Sequence, residues 1–295
     1  MQERDASGRK RGGAAPWLLS APSTIYLAIF FVIPILLLLK ISLSTQPLYY
    51  LNTTVFSWNP ADWQWDNYTR ALSDYAPQFW RSFEYATLAT VFSAIIAFPV
   101  AYVIAFRGGR YRNLLLGLVV VPFFTNYLIR TLAWKTIVGD SGIVVQTLQN
   151  IGILDPGQTI LRSPTAVVGG LTYNFLAFMI LPLYVSLERI DPALMDAARD
   201  LYSTGWRAFW KVVFPLSLPG LFAGSLLVFI PASGDFVNAE FLGSPKTTMI
   251  GNVIQSLSLK LSDPTAAAAL AFVFMAAIMV LFVIYTHFMG TEDLV

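Results

Sequence analysis

Long apolar runs recur along the 295 residues of this chain and restrict its fold more than any other feature. A helix of roughly 20 apolar residues can cross the hydrocarbon layer of a membrane, which is about 30 Å thick. Only 12% of the residues are charged, whereas about a quarter are charged in an average protein. The pattern therefore predicts an all-α membrane protein with about six transmembrane helices, at residues 16–43, 79–106, 113–138, 165–187, 215–233 and 264–288.

The positions of lysine and arginine predict how these helices are oriented in the membrane. With a cytoplasmic N-terminus, the dense basic clusters fall inside and the outside loops keep only scattered bases. The inside clusters are Arg4, Arg9, Lys10 and Arg11; Arg107, Arg110 and Arg112; and Arg189, Arg199, Arg207 and Lys211. The first apolar stretch continues to about Leu43 without a small-residue cleavage site, so we expect a retained first helix and both termini in the cytoplasm.

An aromatic segment lies between the first two predicted spans, on the outside. It can be a belt of rings at the membrane interface with a small folded cap, or a docking or gate surface for an extracytoplasmic partner. Its rings belong to Tyr49, Tyr50, Phe56, Trp58, Trp63, Trp65 and Tyr68.

A polar loop at residues 188–215 separates the fourth and fifth predicted spans. Asp191-Pro192 is a favourable helix start, because aspartate caps free N–H groups and proline fits the first turn. The sequence Ser203-Thr204-Gly205 then predicts the end of that helix. The small residues Ala197 and Ala198 would let the helix enter a groove of another protein, with Asp196 and Arg199 offering polar contacts.

This loop resembles the EAA coupling loop of importer-type ABC permeases. In that family Glu-Ala-Ala is followed by glycine six residues after the glutamate, and then by an aliphatic residue and Leu-Pro. The positions in register here are Asp196, Ala197, Ala198, Val212 and Pro215. Three positions depart, because Asp196 replaces glutamate, Tyr202 replaces glycine and Phe214 replaces leucine; Gly205 can serve as the turn residue instead. The alternative is an ordinary amphipathic cytoplasmic loop.

The resemblance extends beyond the loop to most of the chain. Residues 121–134, 173–184, 187–192 and 226–237 are similar to the spermidine/putrescine permease family, specifically to the first of its two permease subunits. That group also includes carriers of other small nitrogenous solutes.

The resemblance implies a type I ABC importer permease fold with a cytoplasmic coupling helix, in a bacterial inner membrane. It implies a heterodimer with a second permease subunit, two ATPase subunits that use ATP and magnesium, and an extracytoplasmic solute-binding protein. The cargo would be a polyamine, moved by alternating access. The residues that contact the ATPase would be Asp196, Ala197, Ala198, Arg199, Asp200, Leu201 and Gly205.

The same resemblance gives a domain organisation. Residues 1–15 would be a disordered cytoplasmic tail, and residues 16–78 the first transmembrane helix with the outside aromatic loop. Residues 79–290 would be the importer core with its coupling loop at 188–215, followed by a short cytoplasmic tail at 291–295.

The sequence predicts no catalytic or metal site and no cofactor in this chain. The phosphate-loop lookalike at residues 243–247 has Pro245 where a glycine must precede the lysine, so a separate chain must hydrolyse ATP. Cysteine is absent and His287 is the single histidine. A net charge of +2 does not favour nucleic-acid binding.

Ionisable residues at membrane depth face protein, water or substrate, so they are candidates for the transport path. Asp235 is the leading one, because Pro231 and Gly234 can break the helix before it and a carboxylate would pair with an ammonium. Its alternatives are an interfacial helix-end carboxylate and a partner for Arg130. Glu240 can share the same cavity.

Three aromatic residues are further path candidates: Tyr127, Trp134 and Tyr173. Their ring faces could attract an alkylammonium by about 0.5–2 kcal/mol per contact, although packing is the commoner role of such rings. For Arg130 and Lys135 we expect structural pairing or snorkelling, since cations would repel a cationic cargo.

Two other functions remain open. An importer of the same architecture could carry a different solute, such as an opine or an amino-acid derivative. An autonomous secondary transporter would need a complete path in one chain, often built from inverted repeats, and no such repeat is visible.

Overall fold

The computed structural model describes residues 15–45, 60–202, 204–260 and 263–289, and within these ranges the protein is helical with no strands. The predicted tails therefore lie outside the described residues, apart from Ala15, which begins the first helix. The helices are α1 (Ala15–Leu27), α2 (Ile33–Ser42), α3 (Asp66–Arg107), α4 (Arg112–Val120), α5 (Tyr127–Ile137), α6 (Ile143–Asn150), α7 (Pro164–Glu188), α8 (Pro192–Tyr202), α9 (Gly205–Ala208), α10 (Phe214–Ser233), α11 (Val237–Leu242), α12 (Ile250–Leu259) and α13 (Pro264–Met289).

Among the described residues, five stretches of helix are long and apolar enough to cross a membrane, and the number rises to six if a bent pair of helices is one span. The five are Ala21–Ser42, Pro60–Arg107, Pro164–Glu188, Gly205–Ser233 and Pro264–His287. They match five of the six predicted spans. Short π-helical turns join α1 to α2 and α9 to α10 without ending either stretch.

The third predicted span, at 113–138, is a broken helix. Its two halves, Gly109–Phe124 and Tyr127–Ile137, meet at an angle of 98°. Thr125 and Asn126 between them have extended backbone, with ψ angles of 145° and 133°. The Asn126 side chain accepts hydrogen bonds from the N–H groups of Leu128 (2.9 Å) and Ile129 (3.4 Å), so it caps a new helix rather than continuing the old one.

The second predicted span begins earlier than the apolar pattern indicated. Its helix, α3, starts at Asp66 instead of residue 79, so the last aromatic residues of the predicted outside loop belong to the helix or its entry. The Asn67 side chain donates to the carbonyls of Ser42 (2.9 Å) and Ser44 (3.0 Å), which ties α3 to the end of α2. Tyr49, Tyr50, Phe56 and Trp58 lie outside the described residues.

The core lies where α3, α7 and α10 pack together. Glycines let α10 approach α7 closely, as in membrane helix pairs whose interfaces carry small residues. A Cβ at Gly220 would lie 2.6 Å from the Pro182 carbonyl oxygen, and one at Gly224 would lie 2.7 Å from the Met179 sulfur. Helices α7 and α10 therefore form a tight pair, and the polar loop connects their adjacent ends.

Candidate functional site

Helix α8 is the predicted coupling helix, and it begins where the sequence indicated. The Asp191 side chain accepts a hydrogen bond from the Ala193 N–H over 2.9 Å, and Pro192 occupies the first turn. The helix continues to Tyr202, and α9 then starts at Gly205. This confirms the predicted start and length of the short helix between α7 and α10.

Several side chains of α8 point away from the rest of the chain. Asp196, Ala197 and Asp200 are exposed, and Leu201 is 77% exposed. The side chains of Ala198 and Arg199 lie outside the described part of the structure. The described face of α8 is therefore exposed, with a large apolar side chain beside small and acidic ones.

Gly205 does not have the left-handed backbone that a glycine commonly adopts after a helix. It is the first residue of α9, and the positive φ angles of described glycines belong to Gly109, Gly152 and Gly157. A Cβ at Gly205 would meet no atom within 4 Å. Helix α8 ends at Tyr202, and Thr204, the residue before α9, has extended backbone.

The ends of the coupling loop are anchored to the transmembrane helices. At the start, Glu188 of α7 forms an ion pair with Arg112 of α4, and the Arg112 Nε–H donates to the Tyr184 hydroxyl. At the far end, aromatic rings pack on one another between α9 and α10: Trp206, Phe209, Trp210 and Phe214. These contacts fix the two ends of the loop to α4, α7 and α10.

A second site lies at the other end of the same helix pair, and we call it the buried polar network. It joins α5, α7 and the turn between α10 and α11. Asp235 and Arg130 are only 8% and 9% exposed, and the other members are buried or half-buried. The members are Tyr127, Arg130, Thr131, Asn174, Asp235 and Asn238.

Both oxygens of the Asp235 carboxylate have donors inside the protein. The Tyr127 hydroxyl donates to Oδ2 over 2.5 Å. The backbone N–H of Asn238 donates to Oδ1 over 2.7 Å, and its side-chain Nδ2 donates to the same oxygen over 3.1 Å. Asp235 is therefore a buried carboxylate whose two oxygens both accept hydrogen bonds within the protein.

The cation of the network is Arg130, which lies within the protein as expected for a structural arginine. Its Nε–H donates to Asn174 Oδ1 over 2.7 Å, and an Nη1–H donates to the Pro122 carbonyl over 3.1 Å. The guanidinium also lies 5.1 Å from the centre of the Phe123 ring. Asn174 and Asn238 stand between Arg130 and Asp235, so the partnership considered for these two charges is indirect.

The remaining path candidates lie in two other places. Trp134 and Tyr173 stack face to face, with ring centres 5.2 Å apart, and line an apolar cavity of about 660 Å³. Glu240 is half-exposed, and its carboxylate oxygens lie 3.5 Å from the Lys260 ammonium and 3.5 Å from the Asn252 amide nitrogen. The structure thus brings together Tyr127 with Asp235, and Trp134 with Tyr173, but it keeps Glu240 apart.

Sequence reasoning did not identify Thr131, and it left open whether Asn174 and Asn238 hydrogen-bond between helices or to a ligand. Asn174 Nδ2 donates to Thr131 Oγ1 and to Asn238 Oδ1, both over 3.0 Å. A signal for the α5 side existed, because Tyr127, Arg130 and Thr131 are spaced three and four residues apart and so share one helix face. The described residues contain no cluster of His, Asp and Glu that could hold a metal ion.

Comparisons with known proteins agree with this architecture. The family described as "Binding-protein-dependent transport system inner membrane component" matches residues 89–289. The chain is 40% identical over 235 residues to the spermidine/putrescine transport system permease protein PotB of Haemophilus influenzae, covering 78% of this chain and 79% of that protein. It is 38% identical to PotB of Escherichia coli over 205 residues, which is 69% of this chain and 74% of the relative.

A solved structure supports the fold. A chain of a bacterial ABC transporter involved in the import of the acidic polysaccharide alginate superposes with a TM-score of 0.67 at 18% identity, covering 93% of this chain and 95% of that one. The family match spans more than half of the chain, and the exposed helix α8 lies between two of the candidate spans. This chain therefore belongs to the family of inner membrane components of binding-protein-dependent transport systems, as a multi-pass permease subunit of an ABC importer and not an enzyme.

Proposed function

We propose that this permease subunit moves polyamines such as spermidine and putrescine into the cytoplasm. The observation that carries the proposal is the 40% identity, over 78% of the chain, to a permease protein of a spermidine/putrescine transport system. The working complex would contain a second permease subunit, two ATPase subunits and an extracytoplasmic solute-binding protein. ATP and magnesium would be used by the ATPase subunits, with both termini of this chain in the cytoplasm.

Movements of the ATPase subunits would be transmitted to this subunit through α8. Its exposed face, with Asp196, Ala197, Asp200 and Leu201, is suited to a groove of the ATPase. Because α8 is fastened to α7 and α10, movement of that groove would rotate the helix pair. The path would then open alternately to the two sides of the membrane, as alternating access requires.

The path would use acidic and aromatic side chains, since a polyamine offers ammonium groups separated by apolar methylenes. Asp235 would supply the carboxylate, with Tyr127 beside it and Glu240 nearer to the protein surface. The stacked rings of Trp134 and Tyr173 would offer cation–π contacts. A carboxylate oxygen has lone pairs for more than one donor, so an ammonium could join or replace the Tyr127 hydroxyl.

The experiment that tests this function is uptake of labelled putrescine and spermidine by the assembled transporter in proteoliposomes. The unsubstituted transporter and the Asp235→Asn variant would be compared at matched amounts. Both uptake and the ATP hydrolysis stimulated by the loaded binding protein would be measured. We expect the variant to lose at least tenfold in uptake while it keeps stimulated hydrolysis. An unsubstituted complex that takes up neither polyamine would contradict the cargo, and unchanged uptake by the variant would remove Asp235 from the path.

A further inference from the structure

The side-chain amides of Asn174 and Asn238 point in the same direction along the buried polar network. Asn174 turns its oxygen to the Arg130 guanidinium and its nitrogen to Asn238. Asn238 turns its oxygen to Asn174, and its nitrogen donates to the Asp235 carboxylate and to the Tyr127 hydroxyl, which itself donates to Asp235. Each amide dipole is thus aligned as the field between a cation and an anion favours, and aligned hydrogen bonds polarise one another.

Burial makes this alignment consequential. Asn174 and Asn238 are fully buried, and less than a tenth of the surface of Arg130 and of Asp235 is exposed to solvent. A charge buried without compensation is strongly destabilising, whereas removal of both members of a buried pair is often tolerated. The two charges in this site must therefore balance each other through the intervening amides.

The network also connects the parts of the molecule that must move together. Arg130 donates to the Pro122 carbonyl, which lies at the break of the third span, so it links the two halves of that span. Asn174 belongs to α7, and Asp235 follows the last turn of α10. These two helices hold the coupling helix at their opposite ends.

We propose that Asn174 and Asn238 couple Arg130 to Asp235, and that Arg130, Asn174 and Asn238 are positioning residues. They fix the Asp235 carboxylate and hold α5 against the helix pair that carries α8. The role of Asp235 toward cargo rests on the proposed function, whereas the coupling between the two charges does not.

A double-substitution cycle tests the coupling. Arg130→Gln, Asp235→Asn and the double variant would be compared in the assembled transporter by the midpoint of thermal unfolding. Each single substitution should lower the midpoint by several degrees, because it leaves one buried charge unbalanced. The double variant should lie closer to the unsubstituted complex than either single variant. A double variant whose shift equals the sum of the two single shifts would overturn the proposal.

Substitution of asparagine by aspartate tests the relay without a change in side-chain size. Asn238→Asp would place two carboxylates side by side, whereas the new carboxylate of Asn174→Asp would pair with Arg130. Asn150→Asp, at the exposed end of α6, is the control. We expect the thermal midpoint to fall most for Asn238→Asp, less for Asn174→Asp and not measurably for the control. Equal effects at positions 174 and 238 would contradict a directional relay.

Kinetics separate positioning from general damage. In assembled Asn174→Asp transporters, the maximal uptake rate per complex should fall at least tenfold. The half-saturating concentration of loaded binding protein should not change, since Asn174 is fully buried and cannot touch a protein that docks from outside. A change in half-saturation with an unaltered maximal rate would overturn the positioning role. If the unsubstituted complex failed to transport polyamine, the proposed cargo would be wrong. The thermal comparisons would still test whether Arg130 and Asp235 are coupled.

Discussion

Arg112 and Glu188 form an ion pair that joins the first residue of α4 to the last residue of α7. The same guanidinium donates to the Tyr184 hydroxyl and lies 5.1 Å from the centre of that ring. The coupling helix begins only four residues after Glu188, at Pro192. The first half of the broken span is therefore fastened to the base of the coupling loop.

Removal of the Arg112–Glu188 ion pair should affect the coupling of ATP hydrolysis to uptake more than it affects the stability of the protein. Glu188→Gln should cost no more than about 1 kcal/mol, since both side chains are partly exposed and water screens their attraction. We expect fewer cargo molecules imported per ATP hydrolysed, because α7 and α4 would no longer move together. Parallel assays of uptake and hydrolysis would measure this ratio, with Asp74→Asn on an exposed part of α3 as the control. An unchanged ratio would argue against a role for the ion pair in coupling.

The contact between α10 and α7 predicts a severe effect at Gly220. Gly220→Ala would place a methyl group against Ser186 and 2.6 Å from the Pro182 carbonyl, so the helices must separate. Such overpacking costs roughly 1–3 kcal/mol. The matched control is Gly117→Ala in α4, where an added Cβ meets no atom within 4 Å. That control should be neutral or stabilising by up to about 1 kcal/mol.

Thermal unfolding of the two glycine variants in the same detergent would compare them directly. A lower midpoint for Gly220→Ala alone is the expected result. If both variants unfolded at the temperature of the unsubstituted protein, the close packing of α7 and α10 would not hold.

The exposed face of α8 predicts an uncoupled variant. Ala197→Glu should abolish uptake while the protein remains in the membrane, because a bulky charged side chain cannot enter a groove shaped for alanine. Co-purification of the ATPase with the permease would measure the lost contact. Thr159→Glu adds the same charge to an exposed loop before α7 and should leave both assembly and uptake intact. Normal uptake by Ala197→Glu with the ATPase still bound would show that another surface carries the coupling.

The break in the third span predicts a local effect of its cap. Asn126→Ala removes the acceptor for two free N–H groups at the start of α5 and should cost about 1 kcal/mol of stability. Asn126→Asp should restore most of that loss, since aspartate caps as well as asparagine. Thermal midpoints of the two variants would provide the comparison. Equal losses for alanine and aspartate would mean that Asn126 does not stabilise α5 by capping.

The sequence alone located five of the membrane spans and the start of the coupling helix, because each of these depends on neighbouring residues. A run of apolar residues forms a helix that lipid can surround, and Asp191 caps the N–H of Ala193 two positions away. Tertiary structure decided the rest. Asn174 lies 44 residues from Arg130 and 64 from Asn238, so no local pattern could indicate that their side chains meet.

Two features of the structure could not be predicted from the sequence because both depend on hydrogen bonds between distant segments. Helix α3 begins at Asp66, well before the start of the apolar run. The end of α2 supplies a carbonyl to which the Asn67 side chain donates there. Asp235 is a residue whose type and position were visible in the sequence, yet the Tyr127 hydroxyl that donates to it lies 108 residues away along the chain. Hydrogen bonds between distant segments form only when the helices are packed. Local composition therefore specified which residues are polar, and packing decided which of them became partners.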